Sequence, residues 1–305
     1  MSRAADRHEI GRDLCDRASA MKDRDCIVCA KPLAHTPLYV VRGFPIVRCG
    51  DCGLGSTVLP PGFDPAAIYT EGYFQGGADD GYADYAASEP SVRADARRAL
   101  LHLFRHGPRA GRLLEVGCAY GYFLAEAAAY FDATGIELSE AAAARARDAG
   151  LRVAHGRVTA PWHASQEPFD AVAMLDVIEH LSDPAETLGL LRARMRPGSA
   201  LLLSTGDWGS LLARATGRSW RLLTPPQHLW FFSVRTLTRL LARHGMRVID
   251  VARPAKVVPL GLALFQVARY GGRAAPQLRA LARRAPRLAL PVNLFDAVRV
   301  VAVRD

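Results

Sequence analysis

A chain of 305 residues, half of them hydrophobic and 23% charged, is long enough for one core of ordinary domain size plus a small accessory module. That composition, with no internal repeat or low-complexity block, excludes disordered, collagenous and short disulfide-framework proteins. The net charge of +9 admits anionic partners but does not by itself point to nucleic acid, because its location matters more than its total.

The first 25 residues are charged and aperiodic, with Arg3, Asp6, Arg7, Glu9, Arg12 and Asp13, and are expected to form a mobile segment or a short helix. Next comes Cys26-x2-Cys29, nineteen residues, then Cys49-x2-Cys52, a zinc-ribbon spacing assigned to a module over residues 26–60. Each pair can sit on a tight knuckle relieved by Gly50 and Gly53, so that four thiolates converge on one structural Zn²⁺ with no coordination position left open. Two disulfides or free thiols are the alternatives, disfavoured because no signal peptide marks an oxidising compartment. Cys15 and Cys118 are left over. Residues 61–111 form a linker with Tyr69, Tyr73-Phe74, Tyr82 and Tyr85. Its rings, Tyr73 and Tyr85 above all, can fold over a ligand as a lid, or simply pack the module against the core.

From Leu113 the chain reads as a short apolar strand ending in Glu115-Val-Gly117-Cys118-Ala119-Tyr120-Gly121, then helix-forming sequence with Phe123. Small residues at this turn tolerate positive φ and bring a ligand close to the main chain, as at nucleotide-type cofactors, NAD and FAD included. Glu137 lies 22 residues after Glu115 at the end of a second apolar stretch, where a ribose-binding acid belongs, and Leu138 and a capping Ser139 follow. Phe169–Leu175 is a third strand. Behind it come Asp176-Val177 and Glu179-His180, then Asp183-Pro184, which opens a helix running to about Met195. Pro197-Gly198 turns into a buried strand from Ala200 to Ser204. A long loop follows, with Trp208, Trp220, Trp230 and Pro225-Pro226-Gln227-His228. Ser233 caps a helix that closes at Gly245, and Met246–Val251 and Asp296–Val303 are the last strands. Strands and helices alternate, so the fold class is α/β, a Rossmann-like sheet with helices on both faces.

The strand-end acid, the Gly-Cys-x-x-Gly loop and the Asp-Val-Ile-Glu-His-Leu-x-Asp-Pro segment resemble class I S-adenosylmethionine-dependent methyltransferases, strongly over Arg112 to Ser204. The cysteine ribbon and aromatic linker extend the likeness to most of the chain. This resemblance implies a seven-stranded sheet in a catalytic domain over residues 112–305. Glu115, Gly117, Cys118, Ala119, Tyr120, Gly121 and Phe123 would surround the methionine end of S-adenosylmethionine, Glu137 and Leu138 its ribose, and Asp176 and Val177 the same pocket. Ala119 departs from the usual middle glycine and narrows the approach to the backbone. The segment His155–Val158 lacks the acid that many members place near the adenine.

The implied activity is methylation of a small molecule, most readily at oxygen of a sugar, glycolipid precursor or secondary metabolite. Sugar C-methylation, rRNA methylation and a non-enzymatic zinc-containing interaction protein are the alternatives. The Gln227-His228 pair, standing where C-methyltransferases carry Glu-His, lowers the first of these. Removing a proton from the acceptor calls for a base, and His180 and His228 are the candidates, with Trp230 in a pocket wall beside the lid tyrosines. Between residues 252 and 290 stand seven arginines and one lysine with no acid, around an apolar run Val257–Val267 too short to span a bilayer. A solvated helical face is the plainest reading. A peripheral contact with an anionic membrane or a lipid-linked substrate is the other, in an otherwise cytoplasmic protein. Nucleic acid is not expected, since the ribbon has no aromatic-basic stripe.

Overall fold

The computed structural model describes residues 26–32, 35–75, 84–259, 261, 264, 274–284 and 289–305. Cys15, Tyr82, the first 25 residues and most of the apolar run Val257–Val267 lie outside them.

The cysteine segment forms a small antiparallel sheet of β1 (His35–Val41), β2 (Phe44–Cys49) and β3 (Gly55–Thr57). Two short knuckles flank it. The amides of Ala30 and Gly53 donate to the carbonyls of Cys26 and Cys49, and Ala30 (φ 50°) and Gly53 (φ 84°) occupy equivalent left-handed positions. The glycine expected to relieve the second knuckle at residue 50 is therefore not one of the left-handed pair; the residue just after each Cys-x2-Cys is. Then come α1 (Glu71–Phe74) and α2 (Glu89–His106), the latter ending as the backbone turns extended at Gly107.

The main sheet is built from β4 (Arg112–Val116), β5 (Asp132–Glu137), β6 (Val153–His155), β7 (Phe169–Leu175) and β8 (Met195–Gly206), all mutually parallel. Between them run α3 (Tyr122–Ala127), α4 (Glu140–Asp148), α5 (Ala160–Ala164) and α6 (Pro184–Ala193). After β8 come α7 (Leu211–Thr216), β9 (Trp230–Phe231), α8 (Val234–Arg243) and β10 (Met246–Ala252). The chain then forms β11 (Lys256–Pro259), α9 (Ala275–Arg284) and β12 (Ala289–Val292), and closes with β13 (Ala297–Arg304). The seven-stranded order is β10-β13-β8-β7-β4-β5-β6, with β13 antiparallel to both neighbours; β11 and β12 pair as a separate antiparallel ribbon.

Alternation along the strands sorts the core into two layers. Leu114, Val172, Met174, Leu201, Leu203 and Val300 pack with Leu188 and Leu191 of α6 and Leu237, Leu240 and Leu241 of α8. On the other face Leu113, Ala171, Ala173, Leu202 and Val301 meet Leu100 and Leu103 of α2 and Phe123 and Leu124 of α3. Cys26, Cys49, Cys52 and Leu54 share the first layer, so the cysteine sheet is seated on the α8 side of the core.

Two sequence expectations are corrected. The helix opened by Asp183-Pro184 stops at Ala193, and β8 starts at Met195 rather than at Ala200. Phe169 pairs with Met195 and Ala171 with Ala200, so residues 196–199 bulge from the ladder. The Ser199 hydroxyl closes this excursion by accepting from the Arg196 amide and donating to the Phe169 carbonyl, and it thereby absorbs Pro197-Gly198. Among the described residues no helix is long and apolar enough to cross a membrane.

Candidate active site

The turn after β4 alternates left-handed residues: Gly117 (φ 70°), Ala119 (φ 48°) and Gly121 (φ 77°). A Cβ on Gly117 would stand 2.6 Å from the Val177 side chain, and one on Gly121 would run into Leu151. Ala119 holds the strained conformation itself, and its amide donates to Glu137 Oε2 at 2.8 Å. The other Glu137 oxygen accepts from the Ser139 amide at 2.8 Å, so one carboxylate ties the turn to the start of α4. Burial raises the Glu137 carboxyl, and the Ser139 and Ala119 amides work against that rise.

Glu115 is buried beneath the turn, and its Oε2 has no hydrogen-bond partner among the described residues. Desolvation, then the charge of Glu137, push its carboxyl well above the ordinary range. The missing Cβ atoms at 117 and 121 make room for Val177 and Leu151, and the buried carboxyl oxygen without a partner below this left-handed turn fits a cofactor that brings a polar group there. The side chains of Cys118 and Phe123, expected at the cofactor, are core residues instead: the Cys118 sulfur fills the space where Gly135 has no Cβ, and Phe123 packs with the helices. Only the Cys118 backbone belongs to the turn, since Phe123 lies within α3. Tyr120 is buried among Phe74, Tyr85 and Tyr122, with the Arg145 guanidinium 4.4 Å over its ring. Leu138 presents its carbonyl to the His155 ring at 3.1 Å.

Asp176, after β7, adopts φ 56°. Its amide bonds to the Ser204 carbonyl, its Oδ1 accepts from the Ser204 hydroxyl at 2.7 Å, and its Oδ2 pairs with Lys256 Nζ at 2.8 Å. Partial desolvation works to raise this carboxyl, but Lys256, Ser204 and Arg299 together hold it below the usual carboxylate range.

One turn further, Glu179, His180 and His228 bring three ligand-type atoms within 4.8 Å of one another. The His180 and His228 rings meet edge-on at 4.7 Å, and Tyr69 stands edge-on to His180 at 5.9 Å. His180 Nδ1 lies 3.0 Å from the Gln227 carbonyl. That partner can only accept, so Nδ1 carries the proton and the Nε2 lone pair is left available. Desolvation lowers both histidines. For His228, burial and then His180 push it down to about 3, whereas for His180 the Gln227 carbonyl and Asp176 oppose the fall. Glu179 is pushed up to about 8 by burial and Asp176. The Tyr73 phenol is raised to about 12 by burial and then by the charges of Glu179, Glu137 and Asp176, and its ring meets that of Tyr69 edge-on at 5.1 Å. Tyr85 instead stacks on Tyr122 and meets Phe74 and Tyr120 edge-on. Trp230 donates its indole N–H to the Leu181 carbonyl at 2.8 Å.

Ser204, Glu179 and Lys256 stand in this site without having been given a role from the sequence, and Tyr69 comes from the aromatic linker expected to wall a ligand. Glu179 adjoins His180, which was a usable signal. Lys256 is 80 residues from Asp176 in a segment read only by its charge.

Cys26, Cys29, Cys49 and Cys52 cluster with all four sulfurs within 4.8 Å, Cys26–Cys52 at 3.6 Å and Cys29–Cys49 at 3.9 Å. These separations are far beyond a disulfide bond and close to the ~3.8 Å edge of a tetrahedron with Zn–S bonds of ~2.3 Å. The donor set therefore fits Zn²⁺. The cluster is pinned from two sides: Arg235 Nη2 donates to the Cys52 carbonyl and Arg243 Nη1 to that of Val28. Through β3 it also reaches the histidines. Gly55 and Ser56 pair with β9, the Thr57 amide donates to the Leu229 carbonyl, and the Thr57 hydroxyl donates to the His228 carbonyl at 2.7 Å.

A methyltransferase-domain family model matches residues 89–251, more than half of the chain. Among curated relatives, a ubiquinone biosynthesis O-methyltransferase of Pseudomonas aeruginosa (strain LESB58) is 36% identical over 109 residues, 33% of this chain and 47% of that protein. One of the same name from Aeromonas salmonicida (strain A449) is 34% identical over 155 residues, 46% of this chain and 65% of that protein. The chain thus spans about half to two thirds of the length of these relatives. A magnesium protoporphyrin IX methyltransferase from Synechocystis PCC 6803, solved with bound SAH, is 14% identical with a TM-score of 0.49, covering 78% of this chain and 99% of that one. With a family match over the glycine turn, the Asp176 strand end and His180, the chain belongs to the methyltransferase-domain family, in the S-adenosylmethionine-dependent class.

Proposed function

We propose that the protein methylates a hydroxyl of a small molecule, with His180 as the base. The observation that carries this reading is the anchored His180: its Nδ1–H is given to Gln227, its ring meets those of His228 and Tyr69 edge-on, and Tyr73 packs against Tyr69. When bound, S-adenosylmethionine supplies an electrophilic methyl group on sulfonium. The turn at 117–121 and Glu137 hold and orient it, and Glu115 meets its polar end. His180 then takes the acceptor's proton, while His228, pushed down to about 3, stays neutral and fixes the ring edge-on. The O-methyltransferase relatives support oxygen as the methylated atom; a sugar, glycolipid precursor or other secondary metabolite is the acceptor class we favour. The four cysteines hold a structural Zn²⁺ that leaves no coordination position for the reaction.

Calorimetric titration of the zinc-loaded protein with S-adenosylmethionine tests the cofactor site. Micromolar binding is expected, weakened at least tenfold in Glu137→Ala. Folded protein that binds no S-adenosylmethionine would overturn the proposal.

A further inference from the structure

A second cleft of about 610 Å³ opens between the cysteine sheet and the core, outside the glycine turn. Four arginines line it: Arg48 from β2, Arg214 from α7, Arg235 from α8 and Arg253 beyond β10. One acid, Asp207, faces them; it pairs with Arg253 at 3.2 Å and accepts from the Gly209 amide. Arg235 gives one N–H to the Cys52 carbonyl. Arg48 and Arg214 are exposed and carry no ion pair among the described residues. The opening turn of the ten-residue α8 adds the positive end of its dipole. Trp208 and Tyr39, edge-on at 6.5 Å, form an aromatic side wall.

Four guanidiniums, from β2, α7, α8 and the segment after β10, against a single, already paired carboxylate leave a concave surface of excess positive charge. That is a surface for a polyanion with planar or tetrahedral oxygens. Its position ties it to the chemistry. Asp207 lies three residues after Ser204, which holds Asp176, and Lys256, which also holds Asp176, lies three residues after Arg253. Three residues reach at most about 10 Å, so the cleft and the Asp176 site are within one small molecule of each other along two independent stretches of chain.

We propose that this cleft binds a phosphoryl or diphosphoryl group carried by the methyl acceptor, with Arg48 and Arg214 as its principal ligands and Trp208 against the adjoining part of the molecule. The inference rests on the methyltransferase reading and narrows its acceptor to a phosphorylated one. The same chemistry is offered by a nucleotide-linked and by a lipid-linked acceptor.

The test titrates the zinc-loaded full chain with inorganic pyrophosphate at low salt, following tryptophan fluorescence, alongside Arg48→Ala, Arg214→Ala and the double variant. Saturable binding is expected, with the dissociation constant rising about tenfold for each guanidinium removed. Both side chains are exposed, and unchanged S-adenosylmethionine affinity in the variants checks that the fold is intact. A flat pyrophosphate titration, or equal binding by the double variant, overturns the inference. Where S-adenosylmethionine still binds, that failure leaves the methyltransferase reading standing. Pyrophosphate binding without S-adenosylmethionine binding removes that reading and with it the acceptor role, while the anion site itself remains. Two further arms identify the source: tighter binding of UDP than of pyrophosphate marks a nucleotide-linked acceptor, and capture by phosphatidylglycerol vesicles, lost in the double variant, marks a lipid-linked one.

Discussion

His180 illustrates how a main-chain contact sets chemistry at a single residue. Giving its Nδ1–H to Gln227 fixes the tautomer, and burial lowers its pKa below the ordinary histidine value, so at neutral pH the imidazole is unprotonated. A base must be neutral to act. Activity should therefore hold from neutral pH down past the usual histidine range, and fall only when pH drops through the lowered pKa of His180. His180→Gln should reduce turnover by about 10²–10⁴ with S-adenosylmethionine affinity unchanged. Steady-state rates from pH 5 to 9, paired with cofactor titration of the variant, check both statements; full turnover in the variant would move the role to His228. At this scale Ala119 shows what a sequence comparison alone leaves open. Alanine itself takes the left-handed conformation here, and its amide is held by Glu137.

Among the elements, α6 owes its start to Asp183, whose carboxylate accepts from the Glu186 amide at 2.9 Å, with Pro184 in the first position. Asp183→Ala should lower stability by about 1 kcal/mol, seen as a fall of about 2–4 °C in the melting midpoint, and Asp183→Asn should restore most of it. Such starts were legible in the sequence because a cap followed by proline is a local signal. So were β4, β5 and β7, whose apolar runs are bounded by small residues and acids. The end of α6 was not legible: the bulge at 196–199 depends on Ser199 reaching the Phe169 carbonyl, a partner 30 residues away. β9, two residues long, has no periodicity to detect and exists only because β3 offers an unpaired edge. In the same way the Lys256 contact to Asp176 is a product of topology, whereas Glu137 could be placed by its distance from Glu115 and its strand-end position.

Across the molecule the cysteine sheet is fastened by metal-type ligands on one side and by β9 and α8 on the other. Removing Zn²⁺ from the purified protein with a chelator should abolish methyl transfer yet preserve most S-adenosylmethionine binding. The glycine turn is built from β4 and β5, whereas His228 hangs on the Thr57 contacts. Metal analysis giving one equivalent of zinc before treatment, followed by calorimetry and activity after it, is the check. A metal-free protein with undiminished activity would show that the sheet holds its shape unaided.

The strand exchange between β3 and residues 230–231 also bears on how such proteins can be recombined. A cut near residue 60 looks from the sequence like a natural seam, yet the small sheet takes its outermost strand from more than 160 residues downstream. Transplanting the cysteine segment onto another methyltransferase core would leave that edge bare unless residues 228–231 travelled with it. The inherited unit is thus discontinuous along the gene, and His228 is part of the graft.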